Sequence, residues 1–553
     1  QLHDSPEDMQ AIYQIICQNG LRVFAETSDG YRIKKYTYTD METMVNEVSA
    51  ALYKRIGATH SYVGLEMENC VEWIVAVWAI LRSGNKPYLI NCRHTTALAN
   101  ELIGNLDIRY IVGKEATKLN AQWIDYASLH TDEMFEGDFE NEFALSTSAT
   151  SLEPTTCVYG GKQVAAQIFN SGDIVKNSKR IALHYHNQLK QLAFLPFYHV
   201  FGLFAVYFWF AFFGRTFVFL RDMAPDTILK TCRKHEVTHI FAVPMLWHTI
   251  EEKVKKELDR QGESAKKKFE TALNISMALQ RIFPIAGAAM ARRLLHTVTD
   301  QIFGPSVQFC ISGGSYLRQS ALEFINGIGY PLHNGYGMSE IGITSVELRS
   351  GIRERNHNAI GRPFFGVDYK LGRDGVLFVR GKSLCKAMLV GNQKRETPEW
   401  FETGDVMECR DGCFYICGRR GDVIIGENGE NINPDVLEQH FALSGDTPFS
   451  VLGLPDGDQE VLSMVVRISP YISVRRQRTL MDGIYASNDQ LPMPMRVRKF
   501  YVTTDPIAPE TAIKVSRKYL ANAIKKGTVK LVSFGQSMEL LAKQTTSGHN
   551  AAL

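Results

Sequence analysis

Ser61-Tyr62-Val63-Gly64-Leu65, then Val71 to Leu81, then Lys86-Pro87-Tyr88-Leu89-Ile90 follow one another closely along the chain. The outer two runs are short, apolar and rich in β-branched and aromatic residues, as buried strands are. The middle run is long enough for three turns of helix. Arg109-Tyr110-Ile111-Val112 repeats the strand pattern after a further helical stretch. Strand-helix-strand order of this kind predicts an α/β fold, with parallel sheets wrapped by helices.

Outward from this core the texture changes twice. Thr249 to Ile302 is rich in Lys, Glu, Ala and Leu with apolar residues at helical spacing, and reads as a helical insertion. Past Trp400, turn signals become dense: Asp411-Gly412, Gly426-Glu427-Asn428-Gly429 and Asn433-Pro434. Shorter alternating strands such as Ser463-Met464-Val465-Val466-Arg467-Ile468 follow. A boundary is therefore expected near Gly418-Arg419-Arg420-Gly421. It separates a large N-terminal domain, residues 1–418, from a small mobile α+β C-terminal lid domain, residues 419–553.

At 553 residues the chain is too long for a single ordinary core. A formal net charge of +2 gives no reason to expect a nucleic-acid or polyanion partner. Ten cysteines spread along the chain form no disulfide framework, which suits a reducing, cytoplasmic compartment. Cys409, Cys413 and Cys417 flank the Asp411-Gly412 turn; their spacing is not a usual zinc spacing, and they read as ordinary strand residues. The opening residues, QLHDSPEDMQ, are polar and acidic and carry no leader signal. Val200 to Phe213 is almost wholly apolar but short of the roughly 20 residues that a spanning helix needs. It reads as a buried core helix, with peripheral membrane contact left open.

Five segments carry chemistry. Leu145-Ser146-Thr147-Ser148-Ala149-Thr150-Ser151-Leu152-Glu153-Pro154 turns from an apolar strand end into hydroxyl residues able to wrap phosphate oxygens. Phe194-Leu195-Pro196-Phe197-Tyr198-His199-Val200-Phe201 sets a histidine among aromatics, either as a satisfied core residue or at the mouth of an apolar acid pocket. Ile311-Ser312-Gly313-Gly314-Ser315 and Asn334-Gly335-Tyr336-Gly337-Met338-Ser339-Glu340 offer glycines for close approach of a flat ligand. The second of these, read as a loop, adds an aromatic ring to stack on a base and a carboxylate for magnesium. Trp400-Phe401-Glu402-Thr403-Gly404-Asp405 places a carboxylate at a glycine-flanked strand end, suited to ribose hydroxyls. Finally, Lys514 follows the proline-rich Asp505-Pro506-Ile507-Ala508-Pro509 and is a mobile point charge suited to phosphate.

In order and spacing these segments resemble the adenylate-forming superfamily of acyl-CoA synthetases and adenylation domains. Leu195-Pro-Phe-Tyr-His199, Asn334-Gly-Tyr-Gly-Met-Ser-Glu340, Thr403-Gly-Asp405, Gly418-Arg-Arg-Gly-Asp422 and Asn428-Gly-Glu-Asn-Ile-Asn-Pro434 all match its motifs. The last run and the helical insertion look like the long-chain fatty acyl branch. The resemblance implies an acid–thiol ligase that uses ATP and magnesium to make an acyl-adenylate, leaving AMP when the acyl group passes to CoA or to the phosphopantetheine of a carrier protein. It implies that Thr147, Ser148, Thr150 and Ser151 hold the β- and γ-phosphates. Gly314, Ser315, Asn334 and Tyr336 would form the adenine site, with Gly335 and Gly337 in the same cofactor-binding run. Ser339 would touch the α-phosphate or the acid, Glu340 with Thr147 would bind magnesium, and His199 and Phe201 would line the acid pocket. Asp405 would hold the ribose, Arg419 would support the nucleotide, and Lys514 would contact the acid and α-phosphate. Rotation of the small domain would then remove Lys514 and admit the thiol.

The chain departs from the family pattern in the phosphate loop, where Ala149 and Leu152 stand for glycines and Thr155 for a lysine, and at Gly421 near the hinge. The loop motivates an alternative expectation: a non-catalytic protein that binds nucleotide or acyl-adenylate. Only about 39 residues follow Lys514, and no carrier domain is read there.

Overall fold

A computed structural model of the chain describes residues 2–133, 135–147, 155–184, 187–420, 422, 424–425, 431–441, 447–456, 459–508 and 515–538. The chain divides into two units. The first comprises Gln1–Lys370, Phe378–Phe401 and Cys409–Tyr415; the second comprises Leu371–Leu377, Glu402–Glu408 and Ile416–Leu553.

The strand-helix-strand core folds as expected. Tyr62–Glu66 pairs in parallel with both Lys86–Leu89 and Tyr110–Gly113, and the buried helix Val71–Arg82 makes the first crossover. These strands lie in an eight-stranded sheet ordered Gln393–Glu396, Ala387–Val390, Thr155–Gly160, Glu142–Ser146, Lys86–Leu89, Tyr62–Glu66, Tyr110–Gly113, Gln122–Asp125. A nine-stranded sheet in the same unit runs Arg362–Pro363, Gly342–Val346, Leu332–Met338, Phe309–Ser312, His239–Ala242, Lys190–Leu192, Thr216–Val218, Val23–Ser28, Ile33–Thr37. Its centre is parallel, and the central strands His239–Ala242 and Phe309–Ser312 are wholly buried, as central strands of a parallel sheet are. The insertion is helical, as Pro244–Gln261, Glu263–Ile282, Ala286–Leu294 and His296–Thr299.

One buried ion cluster fastens the far end of this sheet. Burial alone would raise the Glu26 carboxyl, but hydrogen bonds from His235 and Lys190 hold it down at about 2. His235 Nδ1 lies 2.9 Å from one carboxylate oxygen and Lys190 Nζ 3.1 Å from the other.

The second unit carries a sheet ordered Phe449–Asp456, Gln459–Arg467, Lys499–Thr503, Val532–Ser533, with helices Val474–Asp489 and Arg517–Lys525. Arg517 is buried there. Its guanidinium lies 2.6 Å from Asp435 and 2.7 Å from Glu438, and its Nε donates to the Val451 carbonyl at 2.8 Å. Asp411 (φ 51°) and Gly412 (φ 75°) form the expected turn between Phe401–Arg410 and Cys413–Arg419. Cys409 sits on the first of these strands, and Cys413 and Cys417 on the second.

The apolar run after His199 is buried, but it is not one regular α-helix. Phe201–Phe208 is a π-helix that passes into a short α-turn at Trp209–Ala211. Leu203 to Ala211 are buried throughout, as expected of a core segment. No helix among the described residues is long and apolar enough to cross a membrane. The segment is wedged by packing: Trp78 Nε1 donates to Tyr207 Oη at 2.5 Å, and Trp209 Nε1 to the Gln167 carbonyl at 2.8 Å. Gly202 makes the wide turn possible, because a Cβ there would stand 2.0 Å from the Pro196 carbonyl oxygen. Gly202→Ala is expected to destabilise the chain by about 1–3 kcal/mol through overpacking, read as a lower urea midpoint.

Candidate active site

Ser339, Glu340 and Ile341 form the turn of a β-hairpin made by Leu332–Met338 and Gly342–Val346. The expectation of a loop from Asn334 to Glu340 is therefore corrected. Asn334 to Met338 are strand, with Gly335 opposite Val346 and Gly337 opposite Ile343, and only the last two residues turn. Glycine and asparagine are poor strand formers, which hid the strand from the sequence. They stand here because there is no room: a Cβ on Gly335 would lie 3.2 Å from Ile311 Cγ2, and one on Gly337 2.3 Å from the Gly342 carbonyl oxygen. Gln167, which carries no sequence signal, props the returning strand. Its Oε1 accepts from the Ile343 amide at 3.3 Å, and its Nε2 donates to the Ser383 carbonyl at 3.2 Å.

The strand Thr155–Gly160 links this turn to the hydroxyl-rich segment. It pairs antiparallel with Glu142–Ser146, and the pairing continues into the loop neck. The Thr147 amide donates to the Thr155 carbonyl at 2.8 Å, and the Thr155 amide to Thr147 Oγ1 at 3.3 Å. Further along the same strand, Tyr159 Oη donates to the Ser339 carbonyl at 2.7 Å. On the other side of the turn, the Cys385 amide donates to the Glu340 carbonyl at 2.9 Å. Burial pushes the Tyr159 phenol far up, so it stays a hydrogen-bond donor. Ser148, Thr150 and Ser151, with Ala149 and Leu152, lie outside the described residues, as do Gly421 and Lys514.

The glycine run and the hairpin come together by parallel pairing, with Ser312 opposite Asn334. Gly314 takes φ +87° and, with Ser315, is exposed. Asn334 Nδ2 donates to Asn358 Oδ1 at 3.0 Å, and Asn358 Nδ2 to the Leu317 carbonyl at 2.8 Å, so Asn334 is braced against the segment that follows Ser315. The Tyr336 ring is buried and edge-on to Tyr369, centroids 6.5 Å apart. Phe201 meets this group from the π-helix: a Cβ on Gly313 would lie 2.8 Å from Phe201 Cε1. Thus the described residues Thr147, Ser339 and Glu340 are tied together through Tyr159, while Gly314 and Ser315 follow the end of the strand that pairs with the one carrying Asn334 and Tyr336, and Phe201 packs against Gly313.

Asp405 and Arg419 belong to the second unit. Asp405 lies inside the strand Phe401–Arg410 rather than at a strand end, which corrects that expectation. Gly404 absorbs the irregularity with φ +75°, and its carbonyl accepts from the Arg420 amide at 2.7 Å, so the strand continues past it. The family resemblance implies separate roles for Asp405 and Arg419; the structure pairs them, Arg419 Nε donating to Asp405 Oδ1 at 3.0 Å. The Asp405 amide in turn donates to Thr403 Oγ1 at 3.1 Å.

His199 is half-buried, with Nε2 3.5 Å from Asn91 Nδ2. Burial first, then the charges of Arg93 and His94, push its imidazole down to about 4. It is therefore neutral at neutral pH and serves as a polar wall rather than a cation. A histidine that titrates near 6.5 unfolded and near 4 folded stabilises fully above pH 6.5, and that contribution is lost as pH falls towards 4. Buried His333 follows the same trend. Between pH 7 and pH 5 the urea midpoint is expected to fall, and to fall less in His199→Gln.

Comparison with known proteins agrees with this geometry. The family model described as AMP-binding enzyme matches residues 21–386, about two thirds of the chain. The long-chain-fatty-acid–CoA ligase FadD15 of Mycobacterium tuberculosis is 28% identical over 184 residues, covering 31% of this chain and 30% of that protein. The chain thus matches less than a third of that relative's length. The 2-succinylbenzoate–CoA ligase of Bacillus pumilus is 21% identical over 443 residues, 74% of this chain and 78% of the relative. Among solved structures, the o-succinylbenzoate CoA synthetase of Bacillus subtilis with its acyl-adenylate intermediate superposes with a TM-score of 0.69 at 19% identity, over 92% of this chain and 96% of that one. ATP-bound MatB from Rhodopseudomonas palustris has a TM-score of 0.65 at 19% identity, over 93% and 99%. At these identities the superpositions speak for the fold, and the family match speaks for descent: the chain belongs to the AMP-binding enzyme family.

Proposed function

We propose that the chain is an AMP-forming acid–thiol ligase acting on an apolar carboxylic acid. The observation that carries this reading is the Tyr159 hydrogen bond to Ser339, which fixes the Ser339-Glu340 turn to the strand that leaves the Thr147–Thr155 neck. Thr147 and the carboxylate turn are thereby held against one strand, an arrangement suited to a triphosphate with its metal.

The reaction needs little covalent help from protein. An oxygen of the acid attacks the α-phosphorus, the bond to the bridging oxygen breaks, and pyrophosphate leaves with that electron pair. A thiol then attacks the acyl carbon; the C–S bond forms, the C–O bond to AMP breaks, and the thiol proton goes to solvent. Thr147 and the hydroxyls after it would orient the outer phosphates, and Ser339 the α-phosphate or acid. The Asp405–Arg419 pair would hold the ribose, and Lys514 would neutralise charge developing at the α-phosphorus. Glu340 and the Thr147 hydroxyl are hard oxygen donors, and one carboxylate plus substrate phosphates suits magnesium, which no protein cage need enclose. When bound, magnesium would spread the negative charge of the phosphates.

An apolar acid is supported by the apolar run Phe201–Phe208 after His199, whose first residue packs against Gly313 of the glycine run. Neutral His199 adds no charge to attract a second carboxylate. Fatty acids, as for FadD15, and aryl acids, as for the succinylbenzoate ligases, both fit this chemistry. CoA is the favoured acceptor, with a separate carrier protein as the variant of the same step, in the cytoplasm.

The altered loop residues Ala149, Leu152 and Thr155 favour the second reading, a binder of nucleotide or acyl-adenylate. Pyrophosphate release with ATP, magnesium and a panel of fatty, aryl and amino acids separates the two. At least one acid is expected to trigger release, with Lys514→Ala and Glu340→Gln each lowering it by about 100-fold or more. Binding of AMP by folded protein with no release for any acid would establish the second reading.

A further inference from the structure

The helical insertion holds a surface that the adenylation chemistry does not use. From Thr271 to Thr299 the chain contains no aspartate or glutamate but three arginines, Arg281, Arg292 and Arg293. The helices Glu263–Ile282 and Ala286–Leu294 meet there at a short turn. The exposed large apolar residues cluster around that turn: Ile275 at 47% exposure, Ile282 at 68%, Phe283 at 48%, Met290 at 40% and Leu294 at 42%. Lys268, Ile275 and Ile282 recur every seven residues and so share one face of their helix. Arg281 and Arg293 are exposed and make no ion pair among the described residues. Singly exposed apolar residues are ordinary, but five within twenty residues, on two consecutive helices and the turn that joins them, are not.

This tip is held firmly. Arg180, itself buried, donates to the Pro284 carbonyl at 2.6 Å and to the Ile285 carbonyl at 3.2 Å. Gln280 Nε2 donates to the Asn326 carbonyl at 2.8 Å. Gly287 lets the two helices touch, since a Cβ on it would stand 2.7 Å from Gln280 Cα. The inward faces are thus committed to the body of the unit, and Ile282 and Phe283 point outward from a fixed turn.

We propose that this helix-turn-helix tip docks on the surface of an anionic phospholipid bilayer. Apolar side chains at the turn enter the boundary between headgroups and acyl chains, and Arg281 and Arg293, with Lys268 behind them, meet lipid phosphates. Charge complementarity selects this occupant: residues Thr271 to Thr299 are apolar and cationic with no acid among them, whereas a second copy would bring like charge against like. The inference stands apart from the identity of the acid, although a bilayer is also where an apolar acid concentrates.

Flotation of the full chain with vesicles tests it. Retention is expected on vesicles containing phosphatidylglycerol and to fall with added salt, and to be slight on phosphatidylcholine alone. Arg281→Glu and Arg293→Glu are each expected to weaken retention about fivefold or more. Ile282→Asp combined with Phe283→Asp is expected to weaken it by at least about tenfold. Unchanged thermal midpoints and far-ultraviolet circular dichroism would show that these surface variants fold. Equal retention on both vesicle types, or retention unchanged in the double aspartate variant, overturns the proposal. A dimer in sedimentation velocity that the same variant abolishes, without vesicle retention, also overturns it and assigns the patch to a second copy.

Discussion

The Tyr159 hydroxyl and the Ser339 carbonyl, 2.7 Å apart, join the two large sheets of the first unit at the point where chemistry is expected. Tyr159 belongs to the eight-stranded sheet and Ser339 to the hairpin turn of the nine-stranded one. A buried phenol without a partner would be costly, so the contact is enforced rather than optional. Around it the other constraints fall into order. Phe143 and Phe204 pack on the Tyr159 ring, Cys385 holds the Glu340 carbonyl, and Gln167 fixes the strand that returns. A short turn bearing a hydroxyl and a carboxylate thereby becomes a rigid feature of the core.

Charge inside the first unit follows a consistent pattern. Where a full charge is buried, it is met from several sides, as Glu26 is by His235 and Lys190. His199 and Tyr159, by contrast, are pushed by burial to the neutral form. Permanent charge at the site is therefore concentrated on few side chains, and a triphosphate would meet hydroxyls, backbone amides and aimed charges rather than a diffuse positive field. Arg281 and Arg293 of the helical insertion are the contrast: exposed, without an ion pair among the described residues and near exposed apolar side chains, they suit a surface rather than a pocket.

The π-helix shows how packing overrides local preference. Phe201 to Phe208 is apolar on all sides and would satisfy an ordinary α-helix. Trp78 grips Tyr207 and Phe208, Phe217 of the nine-stranded sheet packs on Tyr207, and Phe201 reaches Gly313. Wide turns of this kind concentrate at functional sites, because they re-aim side chains without breaking the helix.

Sequence alone determined the α/β class, the strand-helix-strand core at residues 61–90, the helical insertion, the turn at Asp411-Gly412 and the ordered motifs that mark the family. These are local properties, set by period, turn chemistry and residue type within short windows. Tertiary structure decided what those windows do not contain. Asn334 to Met338 became strand because flanking strands saturate its backbone and leave no room for side chains, although its glycines speak against a strand. Asp405 fell inside a strand because Gly404 bends the backbone without ending the pairing. Gln167 and Tyr159 became supports of the hairpin from far along the chain, and no spacing rule connects residues that meet only through two sheets.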